Sequence, residues 1–255
     1  MKKIVIIIAI IIISGCSTNP STVDASRNNW ATTQFAWSSK IDYDSPFNYI
    51  EYGKISNLSD NNYNLFKKYF SKDINTMAEM DIVSSIYKYM RDINNFKSFA
   101  AGGKLIAKRT VDDIFLDKTL SGCHDWGIVL SSLLRKSGIP AIYVDTALIG
   151  WAKGYLNSES IQFEGHIFIE AFIDGKWILL NSTNPLMIVD YDPLNPLLGF
   201  TRNGTNYFVM FKGIDPWDYG VYSNEDMTNS MMNGAKTIVY ESKKLEVNGK
   251  IINIK

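Results

Sequence analysis

The spacing of apolar residues predicts several amphipathic helices along the chain. Apolar side chains recur every three or four residues over 62–70 and 77–93, which is typical of helices with one buried face. A third helix is predicted over 123–136, ended by Gly138 and Pro140. Its apolar face consists of Trp126, Val129, Leu130, Leu133 and Leu134. Two further helices are predicted to begin at Thr110 and Ser223, where a hydroxyl precedes acidic residues.

Extended segments follow the third helix. A strand is predicted over 141–147, a hairpin over 165–173 and 176–183, and another strand over 206–212. Residues 237–239 and 250–254 are predicted edge strands. The segment 149–164 is predicted to be a loop, either a lid that faces a substrate or a plain surface connection. Helices combined with an antiparallel hairpin indicate an α+β fold, in which the helix that begins at Cys123 packs on the sheet.

The Asp174-Gly175 turn fixes the register of the hairpin. This dipeptide favours a two-residue turn, which would pair Phe168 with Asn181 and His166 with Thr183. His166 and Asn181 then lie on one face as diagonal neighbours, roughly 7–8 Å apart at Cα. A slip of one residue would place them on opposite faces.

The N-terminus predicts export. Lys2 and Lys3 precede an apolar run over residues 4–13, which is about half of what a hydrocarbon core of roughly 30 Å requires. The sequence Ile13-Ser14-Gly15-Cys16 resembles the cleavage box of bacterial lipoproteins, which implies a signal peptide over 1–15 and lipidation of Cys16. The alternative is an ordinary signal peptide in which Cys16 is incidental.

Beyond the signal, the polar residues 16–29 predict a flexible tether, followed by a single domain over 30–255 with a helical part at 60–95. The expected location is the cell membrane or the outer membrane, facing the periplasm or the cell exterior.

Composition narrows the chemistry. The 255 residues include 26 basic and 26 acidic side chains, so the formal net charge is zero. The chain therefore has no net positive charge that would attract nucleic acid. Two cysteines and two histidines rule out a disulfide framework. A zinc site would have to use Cys123, His124, Asp125 and His166, and adjacent residues of one helix cannot all point at one metal. We therefore expect neither a metal nor an organic cofactor.

Cys123 is the candidate nucleophile. At a helix start, unpaired N–H groups and the helix dipole are expected to lower the pKa of a thiol, and the backbone N–H can stabilise an oxyanion. The thiol also needs a base. His124 is the next residue, about 100° around the helix axis, so His166 on the predicted strand is the better candidate. The plain alternative is that Cys123 is a small buried apolar residue.

Several motifs resemble the transglutaminase-like superfamily, a branch of the papain-like cysteine enzymes. They are Gly122-Cys123-His124-Asp125, Leu134-Arg135 with Gly138-Ile139-Pro140, His166 with Glu170, and Gly175-x-Trp177 before Asn181. The match covers about 110–183, with a weaker echo at 213–220.

The resemblance implies a papain-like fold and assigns three roles. Cys123 would be the nucleophile, His166 the base, and Asn181 would stand where the family usually has aspartate. An amide can orient the imidazole but stabilises imidazolium less than a carboxylate does. Papain-like enzymes also place a glutamine upstream of the nucleophile, whereas Gln34 and Gln162 are both distant from Cys123 in sequence. A second oxyanion donor is therefore not identified.

The expected function is that of a membrane-anchored cysteine peptidase or amidase, which cleaves amide bonds of peptides or proteins, including cell-wall peptides, through a thiol acyl-enzyme. Two alternatives stay open. One is a cross-linking transglutaminase or another acyltransferase, and the other is a lipid-anchored binding module that keeps the fold without catalysis.

Overall fold

The computed structural model describes residues 41–69, 73–99, 103–159, 162–199 and 206–247. The predicted signal peptide over 1–15, the lipidation site Cys16, the tether over 16–29 and the predicted strand over 250–254 lie outside the described residues. Among the residues described, no helix combines the length and the apolar character needed to cross a membrane.

Helices and strands alternate in the middle of the chain, and five consecutive strands precede the last helix. The α-helices are α1 (Asp60–Lys68), α2 (Glu79–Arg91), α3 (Val111–Asp117), α4 (Gly122–Lys136), α5 (Ile149–Leu156) and α6 (Asn224–Val247). The strands are β1 (Lys97–Ser98), β2 (Thr119–Leu120), β3 (Ala141–Leu148), β4 (Gly165–Ile173), β5 (Lys176–Asn181), β6 (Met187–Ile188), β7 (Leu197–Gly199) and β8 (Asn206–Gly213). Short 3-10 turns lie at Pro46–Ile50, Ile74–Thr76 and Pro216–Tyr219.

A six-stranded sheet in the order β6-β5-β4-β3-β8-β7 forms the centre of the fold, and all its neighbouring strands are antiparallel. Helix α4 packs on one face through a buried cluster that includes Leu133 of the helix, Tyr143 of β3 and Ile167 of β4. The α+β expectation is confirmed in this form: Cys123 lies in the first turn of a core helix on an antiparallel sheet.

Local sequence signals account for the boundaries near the site. Thr110 caps α3 in a reciprocal capping box with Asp113. The hairpin turn has positive φ at both Asp174 (50°) and Gly175 (79°), as a type I′ turn requires. The predicted register is confirmed from Ile173 opposite Lys176 to Phe168 opposite Asn181.

The hairpin ladder is shorter than predicted. It ends at Phe168 and Asn181, so the predicted pairing of His166 with Thr183 is wrong. The physical reason is that the Asn181 side chain accepts hydrogen bonds from the backbone N–H groups of Thr183 and Asn184, which turns the chain away from β4.

Two segments predicted as loop or strand are helical. Residues 149–156, predicted as part of a loop or lid, form α5, whose Trp151 and Ala152 are buried in a cluster with Met227 of α6. The predicted edge strand over 237–239 lies inside α6, where Met231, Ala235 and Ile238 are buried at helical spacing. Three β-branched residues are too short a run to outweigh that spacing.

Candidate active site

Cys123 lies where the start of α4 approaches β4. Gly127, one turn later, makes this approach possible, because a Cβ there would lie 2.5 Å from Ile167 Cγ2 and 2.8 Å from Tyr143 Cε2. The cysteine is partly exposed and has no disulfide partner. The helix thus presents its first turn beside the early residues of β4.

The electrostatic prediction for Cys123 is wrong in sign. Backbone N–H groups of Ile167, Cys123 and His124 do favour the thiolate. Burial outweighs them and, together with the nearby Asp145 carboxylate, raises the pKa of the Cys123 thiol to about 12. Part of the residue reaches the surface, and the packing around it desolvates the thiol. The resting thiol is therefore neutral.

His166 is held by Asn181. The distance from His166 Nε2 to Asn181 Oδ1 is 3.1 Å. The same oxygen accepts hydrogen bonds from the backbone N–H of Thr183 at 3.0 Å and of Asn184 at 3.2 Å. Backbone N–H groups can only donate, so the acceptor must be the oxygen of the amide, and His166 must donate to it from Nε2. This tautomer leaves a lone pair on Nδ1.

The surroundings keep this imidazole neutral and fixed. Burial lowers the pKa of His166, and the hydrogen bond that His166 donates to Asn181 opposes that shift only in part. The ring packs edge-on against Phe168, with 4.9 Å between ring centroids. The main-chain oxygen of Asn181 accepts a 2.6 Å hydrogen bond from the Tyr87 hydroxyl, which ties the end of β5 to α2.

The structure brings the three predicted residues into one region without joining all of them. His166 and Asn181 are directly hydrogen-bonded. Cys123 approaches the adjacent residue of β4, since the Ile167 N–H acts on its thiol. Among the hydrogen bonds of the described residues, none connects Cys123 with His166, so the complete triad stays a prediction.

His124 belongs to a separate buried network. Its Nδ1 lies 3.1 Å from the Tyr143 hydroxyl, and its Nε2 lies 3.1 Å from Met227 Sδ and 3.9 Å from Asp145 Oδ2. Burial lowers the pKa of His124 to about 3 and raises the pKa of Asp145 to about 7. Partners on two other elements, β3 and α6, surround this ring. No sequence signal identified Asp145, because it sits within an apolar strand.

Asp125 stabilises the turn that leads into Cys123. Its carboxylate accepts a 2.6 Å hydrogen bond from the Ser121 N–H and forms a buried ion pair with Arg109. Asp125, the acidic residue of the Gly122-Cys123-His124-Asp125 motif, therefore has a structural role.

Tyr207 is a neighbour of His166 that the sequence did not indicate. It lies on β8, and its ring is 6.0 Å from that of His166. Strand β3 lies between β8 and β4, and the contact depends on this strand order. The spacing of residues in the sequence does not predict that order.

A second charged cluster lies further along β4. Glu170 and Lys212 are fully buried and paired, and Lys212 also donates to the Tyr43 hydroxyl at 2.7 Å and to the Pro193 carbonyl at 2.7 Å. A surface pocket of about 450 Å³ adjoins this cluster and is lined by Tyr43, Asp190, Tyr191, Asp192, Pro193 and Leu194. The buried charges satisfy each other, which gives Glu170 of the motif a structural role.

Comparisons with known proteins give limited similarity. No protein-family model matches the chain, and no curated protein matches it. One similar solved structure is the crystal structure of a candidate cysteine protease from Cytophaga hutchinsonii, with 20% sequence identity and a TM-score of 0.43. The similarity covers 72% of this chain and 51% of that protein, so this chain spans about half its length. A similarity of this extent gives no argument about function.

Proposed function

We propose that this protein is a cysteine enzyme that cleaves amide bonds of peptides or proteins, with Cys123 as nucleophile, His166 as base and Asn181 as the residue that orients the base. The observation that carries the proposal is the tautomer imposed by Asn181. It leaves the lone pair on Nδ1 of a histidine whose neighbour, Ile167, acts on the Cys123 thiol.

The pKa shifts favour a particular order of events. The pKa of Cys123 is raised and that of His166 is lowered, so the neutral pair is the resting form. His166 Nδ1 then removes the thiol proton as the sulfur attacks the carbonyl carbon, rather than before it. A C–S bond forms, and the carbonyl electron pair moves onto oxygen, where backbone N–H groups at the start of α4 stabilise it.

The second half of the cycle regenerates the free enzyme from the acyl-enzyme. The imidazolium gives its proton to the leaving amine as the C–N bond breaks, which leaves a thioester on Cys123. Water attacks the thioester while His166 accepts its proton, and a C–O bond forms. The C–S bond then breaks, the imidazolium returns the proton to the sulfur, and the carboxylic acid leaves the regenerated thiol. With a primary amine in place of water, the same steps form a new amide, which is the transglutaminase alternative.

The raised thiol pKa also supports a second candidate. A neutral, protein-surrounded thiol is typical of a structural cysteine, so a binding module without catalysis is the competing function. Fold alone does not separate these functions, because many folds support both.

Selective chemistry at Cys123 tests the proposal. Replacing Cys16 by serine in the full chain leaves Cys123 as the single thiol. In this background, p-nitrophenyl acetate should acetylate Cys123, and His166→Ala should slow acetylation by about 100-fold because the base is lost. His124→Gln, the control at the other histidine, should stay close to the parent rate. Equal rates in the parent and in His166→Ala would support the binding module instead.

The identity of the acyl acceptor, water or a primary amine, is tested with the same protein. Peptide substrates in the presence of a primary amine should give free acid for a hydrolase and a new amide for a transglutaminase, and mass spectrometry distinguishes the products.

Anchoring through lipidated Cys16 is part of the proposal and rests on the Ile13–Cys16 sequence. The mass of the N-terminal peptide from a membrane fraction should show a diacylglyceryl group on Cys16, and an unmodified or absent Cys16 peptide would contradict it.

A further inference from the structure

The proposed reaction needs a second hydrogen-bond donor for the oxyanion. Backbone N–H groups at the start of α4 supply one side of such a site. A single donor leaves part of the developing charge unstabilised, and a buried site has little water to replace it. The second donor should be a protonated group close to both Cys123 and His166 whose hydrogen bond is not already used.

The strand register brings Tyr207 beside His166. His166 is opposite Thr146 of β3, and Tyr207 is opposite Leu148 on the other side of the same strand. Thr146 and Leu148 are two residues apart, so all four side chains lie on one face of the sheet. The ring contacts agree, with centroid distances of 6.0 Å from Tyr207 to His166 and 5.3 Å to Phe168.

The hydroxyl of Tyr207 is a donor without a structural task. Tyr207 is half-buried, and among the residues that the structure describes none forms a hydrogen bond with its hydroxyl. Burial and then the negative charge that Cys123 carries as a thiolate raise the pKa of Tyr207, so the phenol keeps its proton at neutral pH.

We propose that the Tyr207 hydroxyl is the second oxyanion donor of this site, and the proposal rests on the proposed function. When the Cys123 sulfur bonds to the carbonyl carbon, the C=O electron pair moves to oxygen, and Tyr207 donates a hydrogen bond to it without transferring its proton. When the intermediate collapses, that pair re-forms the C=O bond and the leaving group departs. Tyr207 is thus a catalytic residue that contacts the reacting atoms.

Two reagents separate this role from a structural one. Iodoacetamide alkylates a thiol by displacing iodide from a saturated carbon, so no oxyanion forms. p-Nitrophenyl acetate reacts through a tetrahedral oxyanion and releases p-nitrophenolate. In the full chain with Cys16→Ser, Tyr207→Phe should leave alkylation of Cys123 unchanged and slow its acetylation by about 100-fold.

Tyr222→Phe is the matched control. Tyr222 is 54% exposed and packs against Trp217 rather than His166, so neither rate should change. Two results for Tyr207→Phe would overturn the inference: an unchanged acetylation rate, or an equal loss in both reactions, which would make Tyr207 a support for His166. If His166→Ala matches the parent in both reactions, the proposed function fails and the inference falls with it.

Discussion

At the scale of the residue, the contacts of the Asn181 carboxamide show how an amide can orient His166. The family that the sequence motifs resemble usually has aspartate at this position. The Asn181 side-chain oxygen accepts hydrogen bonds from His166 Nε2, from the backbone N–H groups of Thr183 and Asn184, and from the Thr183 hydroxyl. A carboxylate at this position could accept the same hydrogen bonds. The substitution therefore keeps the orientation of the imidazole and removes only the negative charge.

Asn181→Asp should restore that charge and shift the pH profile. A carboxylate beside His166 favours imidazolium and raises the pKa of that histidine, so the acid limb of the acetylation rate should move to higher pH. Asn184→Asp is the control, since it adds the same charge at an exposed position and should shift the limb less. An unmoved limb in Asn181→Asp would mean that the limb reports a group other than His166.

The pKa of Cys123 is also decided at this scale, but by its surroundings. Position at a helix start predicted a lowered pKa, whereas burial raises it. The sequence predicts the helix and where it begins. It does not predict how much water reaches the sulfur.

At the scale of the element, the contact between α4 and β4 sets where Cys123 lies. Gly127 allows the helix to approach Ile167 and Tyr143, because any side chain there would overlap both. The same closeness gives the Ile167 N–H access to the thiol. The hairpin of β4 and β5 was predictable from Asp174-Gly175, and this spacing between helix and strand was not.

Gly127→Ala should move α4 away from β4. The added methyl group would meet Ile167 and Tyr143, so we expect a loss of about 1–3 kcal/mol in the free energy of unfolding and slower acetylation of Cys123. Gly150→Ala in α5 is the matched control, because nothing lies within 4 Å of its added Cβ. That change should stabilise the protein by about 0.5–1 kcal/mol. Urea unfolding measures both, and equal effects would contradict the close packing at Gly127.

At the scale of the whole molecule, two buried groups give stability opposite dependences on pH. Unfolded histidine binds a proton near pH 6.5, whereas folded His124 has a pKa of about 3, so acidification between these values favours unfolding. Folded Asp145 has a pKa of about 7 against 3.8 for the ordinary group, so the same acidification favours folding. Each effect is about 1.4 kcal/mol per pH unit, and over the shared range they offset each other.

Single variants should separate the two effects. Asp145→Asn removes a buried charge, so its free energy of unfolding should exceed that of the parent most above pH 7, with the difference shrinking towards pH 3.8. His124→Gln should show the reverse trend, with a difference that grows as the pH falls from 6.5 towards 3. Lost hydrogen bonds add a constant offset that leaves these trends intact. Urea unfolding at several pH values measures them, and parallel curves for both variants would contradict the assignment.

The sequence by itself determined the features that depend on neighbouring residues. Apolar periodicity identified α1, α2 and α4, the Thr110 cap identified α3, and Asp174-Gly175 set the register that brings Asn181 to His166. Such signals are local, because they act through turns and hydrogen bonds within a few residues. Helix α5 escaped prediction because tertiary packing against α6, rather than a clear polar face, stabilises it.

Only the tertiary structure decided the features that join distant segments. Strand β3 lies between β4 and β8 and brings Tyr207 to His166, although the two residues are 41 positions apart in sequence. Burial, which depends on every element packed around a group, made Cys123 a neutral thiol and moved the pKa values of His124 and Asp145 in opposite directions. Solvent access and contacts across the sheet are sums over the whole fold, so no window of sequence contains them.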